Sequence, residues 1–266
     1  MKTTINQTLA DGIKILLLFE PLTPSLTVPQ ISQILGYGQG KTYRMIRTLV
    51  QFGFLQGNAK EAQYSLGLNA LRIGLLAQQN FSLSSIAYPL MKELSSLTKE
   101  TVLLTMVNGT KGICVERVES EEPIRFSKFH PGAILPLHCG ASSKILMAYL
   151  EEKQWDRIIA EEGLRKYTEK TVTDPDQLKA HLRMIRKKGY ALSDEEVTPE
   201  VRAVAAPIFN SLGELAGGLG IAGPAYRIDK RKMHSLATLA VQFAQRISSE
   251  LGPMAGAALN RKISNG

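Results

Sequence analysis

Three cations at helical spacing, Lys41, Arg44 and Arg47, are the first side chains of this 266-residue chain that could do chemistry together. At about 100° per residue they fall along one stripe of a segment running from Gln39 to Gln51, opposite Tyr43, Ile46, Leu49 and Val50. A helix of that pattern buries one side and offers ammonium and guanidinium groups to an anionic partner. Taken alone, the stripe fits a solvated helix face equally well. The elements around it decide between the two.

Ahead of the stripe, a short apolar segment from Val28 to Leu35 ends at Gly36-Tyr37-Gly38, with Pro29 near its first turn, where a missing N–H does no harm. After it, Gly53 ends the helix and Phe54-Leu55 begins an extended run. The polar tip Gly57-Asn58-Ala59-Lys60-Glu61 turns that run, and Gln63-Tyr64-Ser65-Leu66 returns with period-two alternation. Leu9 to Phe19 places Leu9, Ile13, Leu16 and Leu17 on one face and is expected to supply the first helix of a three-helix unit, with Pro21 and Pro24 breaking the chain after it. Two short helices, a glycine turn and a hairpin make a winged helix-turn-helix, so the cationic stripe is read as a recognition helix for double-stranded DNA. The unit is assigned residues 1–67.

Charge distribution agrees. The net charge is +8, and residues 1–80 hold seven Lys/Arg against three Asp/Glu, so less than a third of the chain carries half of the surplus. Phosphate contacts need such a module, because each cation placed on the backbone releases condensed counterions. With 44% hydrophobic and 21% charged residues the composition is that of a globular protein, long enough for two domains. No apolar run approaches the roughly 18 residues that would cross a bilayer, and Met1 to Asn6 lacks the apolar core of a secretion signal, so a cytoplasmic protein without membrane contact is expected. Two cysteines, Cys114 and Cys139, fit a reducing compartment.

Residues 68–80 are helix-forming and read as a linker helix; a larger domain is assigned to 81–252 and a tail to 253–266. Within the larger domain a helix is expected from Ser82 to Thr98. Strands are expected at Val102–Val107, Gly112–Val118, Ile124–His130, Ala203–Phe209 and Leu215–Ile221, and helices at Ser142–Leu150, Glu152–Glu161, Asp176–Lys187 and Asp229–Leu251. The class is therefore α/β in the α+β sense, a sheet flanked by helices with a concave face for a small ligand. Cys139-Gly140-Ala141-Ser142-Ser143 opens a helix whose free N–H groups would receive a carboxylate; the plainer reading is that Ser142 only caps that helix.

Catalysis has little support. Ser142, Ser143 and Lys144 project on different sides of a helix, and His130, His138, His181 and His234 lack metal-ligand spacing. His138 reads as a pocket wall or a core histidine. Asp194-Glu195-Glu196 could ligate a metal but fits an acidic surface loop. Gly218-Leu219-Gly220-Ile221-Ala222-Gly223 matches a dinucleotide fingerprint letter for letter, yet only 43 residues follow, too few for the βαβ unit it requires. No cofactor, metal or catalytic residue is expected.

The chain resembles the IclR family of bacterial transcription regulators over nearly its whole length. The likeness rests on Gly36-Tyr37-Gly38-Gln39-Gly40-Lys41-Thr42-Tyr43-Arg44-Met45-Ile46-Arg47-Thr48-Leu49, on Gly53-Phe54 and Tyr64-Ser65-Leu66-Gly67, and then on Leu135-Pro136-Leu137-His138, Ser143-Lys144-Ile145-Leu146, Gly189-Tyr190-Ala191 with Glu195-Glu196, and Ala205-Ala206-Pro207-Ile208-Phe209. It implies a winged-helix domain, a linker helix and a GAF-like effector domain binding a small metabolite, working as a homodimer or homotetramer on an operator. The family's recognition helix usually opens with small hydroxyl residues, where this chain has Gly40-Lys41. Lys41 is accordingly expected on phosphate and base reading to fall on Gln39, Thr42 and Arg44, with Gly40, Arg47, Thr48 and Lys60 completing the interface. The resemblance places the effector against Leu135, Cys139, Gly140, Ala141, Ser142, Ser193, Ala203, Gly220 and Ala222. Ala203, Gly220 and Ala222 stand where relatives that bind small keto acids carry polar side chains. The pocket is therefore expected to be roomier and less polar, taking an organic acid larger than glyoxylate or pyruvate, aromatic or sugar-derived. The competing reading is a small-molecule enzyme or sensor whose basic N-terminal module binds another partner.

Overall fold

Helix starts written into the sequence organise the first unit. Asn6 accepts the Leu9 N–H at 3.1 Å and begins α1 (Gln7–Leu16). After β1 (Leu26–Thr27), Thr27 and Gln30 form a reciprocal capping box at the start of α2 (Val28–Leu35), and Gly36 ends that helix at φ 67°, a conformation that L side chains resist. The recognition helix follows as α3 (Gln39–Gln51), then the wing, β2 (Leu55–Asn58) and β3 (Gln63–Leu66). β1 adds to the wing so that the small sheet runs β1-β3-β2. Ile15, Leu26, Ile31, Ile46 and Leu55 form its core. α4 (Leu68–Gln79) is pinned at its start, where the Asn69 side chain donates to the Phe52 carbonyl at 2.7 Å. The computed structural model describes residues 5–20, 23–58, 62–79 and 82–251, and the expected C-terminal tail lies outside them.

One expectation fails in this unit. Leu9, Ile13 and Leu17 do not enter the core; they are 63%, 47% and 74% exposed, and α1 instead buries Ile15 and the carboxylate of Asp11. The apolar stripe was correctly located along α1, but α3 packs against the adjacent side, where Asp11 finds its donors.

The second unit begins with α5 (Ser82–Thr98) and the hairpin β4 (Thr101–Asn108) and β5 (Lys111–Val118), turning at Gly109. There follow β6 (Ile134–Pro136), α6 (Ala141–Ala148), α7 (Glu152–Glu162), α8 (Pro175–Lys188), β7 (Ala191–Asp194), β8 (Val201–Phe209), β9 (Leu215–Pro224) and α9 (Lys230–Glu250). The six strands are antiparallel in the order β6-β5-β4-β9-β8-β7.

Period-two alternation sorts the sheet's side chains between two cores. Val102, Leu104, Val204, Leu219 and Ile221 face α5 and α9. The alternate positions of β9, Gly218, Gly220 and Ala222, face the other way, toward α6. A Cβ at Gly218 would lie 2.8 Å from Ile145 Cγ2, and one at Gly220 would overlap the Ser142 hydroxyl. The glycine run is therefore a floor onto which α6 settles, which is what glycines in a central strand usually mean. Thr105 Oγ1 lies 3.1 Å from the Ser142 carbonyl and ties the helix to β4.

Ile124–His130 is irregular, not the strand expected. Its β-rich composition has no free edge to join, because β6 occupies the edge of β5. Side chains satisfy its carbonyls instead: Thr101 donates to Phe126 O at 2.9 Å, Arg117 to Ser127 O at 2.8 Å, and Arg227 to Ile124 O at 2.7 Å.

Trp155 of α7 is fully buried, donates from Nε1 to the Met147 carbonyl at 2.6 Å, and lies under the Arg186 guanidinium at 4.7 Å. Trp155→Phe removes that hydrogen bond and leaves a void. It is expected to lower stability by about 2 kcal/mol in denaturant titrations followed by circular dichroism.

Candidate functional site

Two sites emerge, one in each unit. On α3, Gln39, Gly40, Tyr43, Arg44, Arg47 and Thr48 are exposed, and the helix carries no carboxylate. They occupy the rows 39/43/47 and 40/44/48, adjacent at i, i+4 spacing. Arg47 lies over the Tyr43 ring at 5.9 Å and donates to its hydroxyl at 3.3 Å, so aromatic ring and guanidinium form one surface. Thr48 donates back to the Arg44 carbonyl at 3.1 Å.

Three assignments on this helix are corrected. Thr42 is completely buried and donates to the Gly38 carbonyl at 3.2 Å, because it shares a row with Ile46; it cannot reach a base edge. Tyr43 faces outward, not into the core. Lys41 is not a free phosphate ligand: its ammonium stands 2.5 Å from Asp11 Oδ2 and 4.3 Å from the Tyr37 ring centre. Asp11, 2% exposed, also accepts from the Tyr37 hydroxyl and from Gln7, each at 2.7 Å. Lys41 first, then Tyr37, hold its carboxyl down at about 2. Lys60 lies outside the described residues.

In the second unit Leu135, Cys139, Gly140, Ala141, Ser142, Ser193, Ala203 and Ala222 line one cavity. Gly220 is not among its walls; it lies beneath Ser142 and sets how closely α6 approaches. Ser143, Val197 and Thr198, together with Leu103, Phe126 and Phe129, complete the lining. The two phenylalanines meet edge to face at 5.6 Å. They overturn the expected roominess: the space left by Ala203 and Ala222 is filled by aromatic rings from the irregular segment, and the remaining void is about 30 Å³, room for about one or two water molecules. The β-rich composition of Ile124–His130 read as a strand, and the two rings form a pocket wall instead.

The polar end of the cavity is the start of α6. Gly140 is the N-cap residue, at φ 81°, and no side chain caps the helix, so Ser142 does not serve as its cap. First-turn N–H groups have no intrahelical acceptors. Ser142, Ser143 and Ser193 are 6%, 2% and 4% exposed, and among the described residues their hydroxyls have no hydrogen-bond partner. Behind them Glu196 accepts the Gly140 N–H at 3.1 Å and binds the buried Lys144 ammonium. Lys144 is thereby taken up, and no free amine stands beside Ser142 to activate it. Asp194 is likewise bound by Arg202 at 2.6 Å and Glu195 by Lys170 at 2.9 Å, so cations already neutralise the acidic run. His138 sits in the core beside the pocket, its Nε2 3.0 Å from the Arg165 carbonyl, and burial pushes its pKa down. Burial, then the Glu196 charge, pushes the Cys139 thiol up to about 12.

A winged helix-turn-helix with an exposed cationic face, joined to a sheet domain enclosing a polar-ended pocket, defines a ligand-responsive DNA-binding regulator. Comparison with known proteins agrees: residues 8–59 match the IclR helix-turn-helix domain, and residues 76–249 match the bacterial transcriptional regulator IclR C-terminal domain. The chain belongs to the IclR family of bacterial transcriptional regulators. It is 31% identical to the HTH-type transcriptional regulator BhcR of Paracoccus denitrificans over 232 residues, covering 87% of this chain and 83% of that protein. Among solved structures, an IclR transcriptional regulator from Alicyclobacillus acidocaldarius superimposes with a TM-score of 0.81 at 24% identity, covering 94% of this chain and all of the other (100%). An IclR homolog from Microbacterium hydrocarbonoxydans, complexed with 4-hydroxybenzoate, superimposes with a TM-score of 0.78 at 19% identity, covering 92% and 98%. None of the described helices is long and apolar enough to cross a membrane.

The Asp11 cluster makes the first unit acid-sensitive in a defined window. A carboxyl depressed in the folded state stabilises above its ordinary pKa of 3.8 and loses that contribution as pH falls toward about 2. Carbon-13 NMR titration of Asp11 is expected to give a midpoint of about 2, and Lys41→Met to return it toward 3.8. A wild-type midpoint already near 3.8 would show that the ion pair does not persist in solution.

Proposed function

We propose that the chain is a cytoplasmic homodimeric or homotetrameric repressor or activator that reads an operator through Gln39, Tyr43, Arg44 and Arg47 and responds to an aryl carboxylate or similar organic acid, without catalysis of its own. The observation that carries this reading is the convergence, on one cavity, of three unpartnered serine hydroxyls with the uncapped start of α6. Hydroxyls and free N–H groups suit a carboxylate, while Leu103, Phe126, Phe129 and Leu135 suit an apolar body. The Microbacterium homolog, with 4-hydroxybenzoate bound, supports an acid of this class. Entry requires the Phe126 and Phe129 rings to move aside, which gives the ligand a mechanical effect on the chain around the pocket.

Unburied apolar surface on the first unit favours assembly. α4 exposes Leu68, Leu71, Ile73 and Leu75 by 50% or more, and a groove of about 530 Å³ on the first unit is lined by Leu9, Ile13, Leu16, Met45, Leu49 and Phe54. A helix apolar on several sides is stable when covered, and a second copy covers it while presenting a second α3 to the adjacent half-site.

Arg44→Ala is expected to cost about 1–3 kcal/mol and to relax preference at one base pair in operator selection. Arg47→Ala is expected to weaken binding uniformly and to lower the logarithmic salt slope by about one. Lys41→Met should leave that slope nearly unchanged; a drop as large as that of Arg47→Ala would mean that Lys41 leaves Asp11 on the DNA.

Titration calorimetry with 4-hydroxybenzoate tests the pocket. Ser193→Val removes one of three hydroxyls and is expected to weaken binding about tenfold. Equal affinity in both proteins would place the acid elsewhere.

A further inference from the structure

A second cavity, of about 350 Å³, lies between α8 and the start of α9, at edge strand β7. Its floor is apolar: Met184 and Ile185 from α8, Tyr190 and Leu192 from β7 and its approach, and Met233 from α9. Its rim is cationic. Lys188 ends α8, Lys230 and His234 open α9, and His181 of α8 also lines the cavity. Among the described residues neither Lys188 nor Lys230 has an ion-pair partner. The two carboxylates that line the cavity do not answer them, because Asp194 is bound by Arg202 and Lys170, and Glu196 by Lys144.

The start of α9 adds to this field. Lys230, Arg231 and Lys232 crowd the helix's first turn, where the macrodipole already leaves partial positive charge and where acids are the usual occupants. Lys232 turns back toward Glu100 at 3.5 Å, and the Asp229 cap is engaged with the Lys232 N–H at 2.7 Å. Lys230 remains at the cavity. Burial, then the nearby Lys144 ammonium, pushes the His181 pKa down. Methionine and tyrosine side chains form a floor that adapts to flat or aliphatic bodies alike.

We propose that this cavity is a second small-molecule site, taking an amphipathic anion with its carboxylate between Lys188 and Lys230 and its apolar body on the methionine-lined floor. The site is distinct from the serine-lined pocket but shares a wall with it. Lys144 and Glu196 line this cavity, while the same Glu196 accepts the Gly140 N–H at the polar end of the other. The buried Lys144–Glu196 pair thus stands between the two cavities.

Two methionines in the floor give a local readout. With carbon-13 methyl-labelled methionine in the full-length protein, 4-(trifluoromethyl)benzoate is expected to shift the Met184 and Met233 methyl signals saturably, and the uncharged 4-(trifluoromethyl)benzamide to leave them in place. Lys188→Glu with Lys230→Glu should weaken the response about tenfold or more, and Lys188→Gln with Lys230→Gln should do so to a lesser degree while preserving the rest of the spectrum. Methyl signals indifferent to the acid, an equal response to the amide, or an undiminished response in the charge-reversed protein would each overturn the proposal. So would a change of sedimentation coefficient in the charge-reversed protein without any acid-induced shift, since the face would then be an interface between copies. The methyl probes lie outside the serine-lined pocket, so failure of one site is separable from failure of the other.

Discussion

A helix can bring its first turn down onto a β-sheet only where the sheet offers no side chains to hold it off. In this chain Gly218 and Gly220 provide that clearance, and everything distinctive about the second unit follows from it. α6 lies buried on every side, its uncapped start facing a cavity closed on the other side by Ala203 and Ala222. Because the helix is so deeply placed, Lys144 is nearly fully buried and is held by Glu196, which in turn fixes the Gly140 N–H. Replacing one partner would leave the other charge buried and unpaired, an arrangement that costs far more than the intact pair contributes. The glycine run, the ion pair and the pocket are thus one structure.

The first unit rests on a comparable trade between stability and display. Asp11, itself buried, gathers Lys41, Tyr37 and Gln7 around its carboxylate and fastens α1 to the turn and start of α3. The cluster removes one cation from the DNA-facing surface while orienting the helix that carries the others. What remains outward is less basic than the sequence suggests and more aromatic, with Tyr43 and Arg47 presented as a pair.

Much of this was legible in the residues. Pro29, Gly36 and Gly53 fixed the two helices of the helix-turn-helix to within a residue or two, since punctuation by proline and glycine is a local effect. β-rich and apolar runs located β4, β5, β8 and β9, and eight of the nine residues at which the family resemblance placed an effector line one cavity. The errors share a cause: a helical wheel gives directions but not partners. It put Lys41 with Arg44 and Arg47 because it could not see Asp11, thirty residues earlier, and it put Tyr43 inside because tyrosine is largely apolar. Phe126 and Phe129 were misread because strand formation depends on a vacant edge, which no local pattern records. The short strands β6 and β7 have too few residues for alternation to show.

Cys139 forms part of the pocket wall, yet its thiol is held near 12, and Cys114 is held equally high. At neutral pH both groups are then held as thiols, because burial disfavours the thiolate. Peroxides and disulfides react with thiolates, so neither would find much purchase in this protein. A sensor built this way distinguishes the metabolite that enters its pocket from the oxidative state of its surroundings, and can report the first without interference from the second.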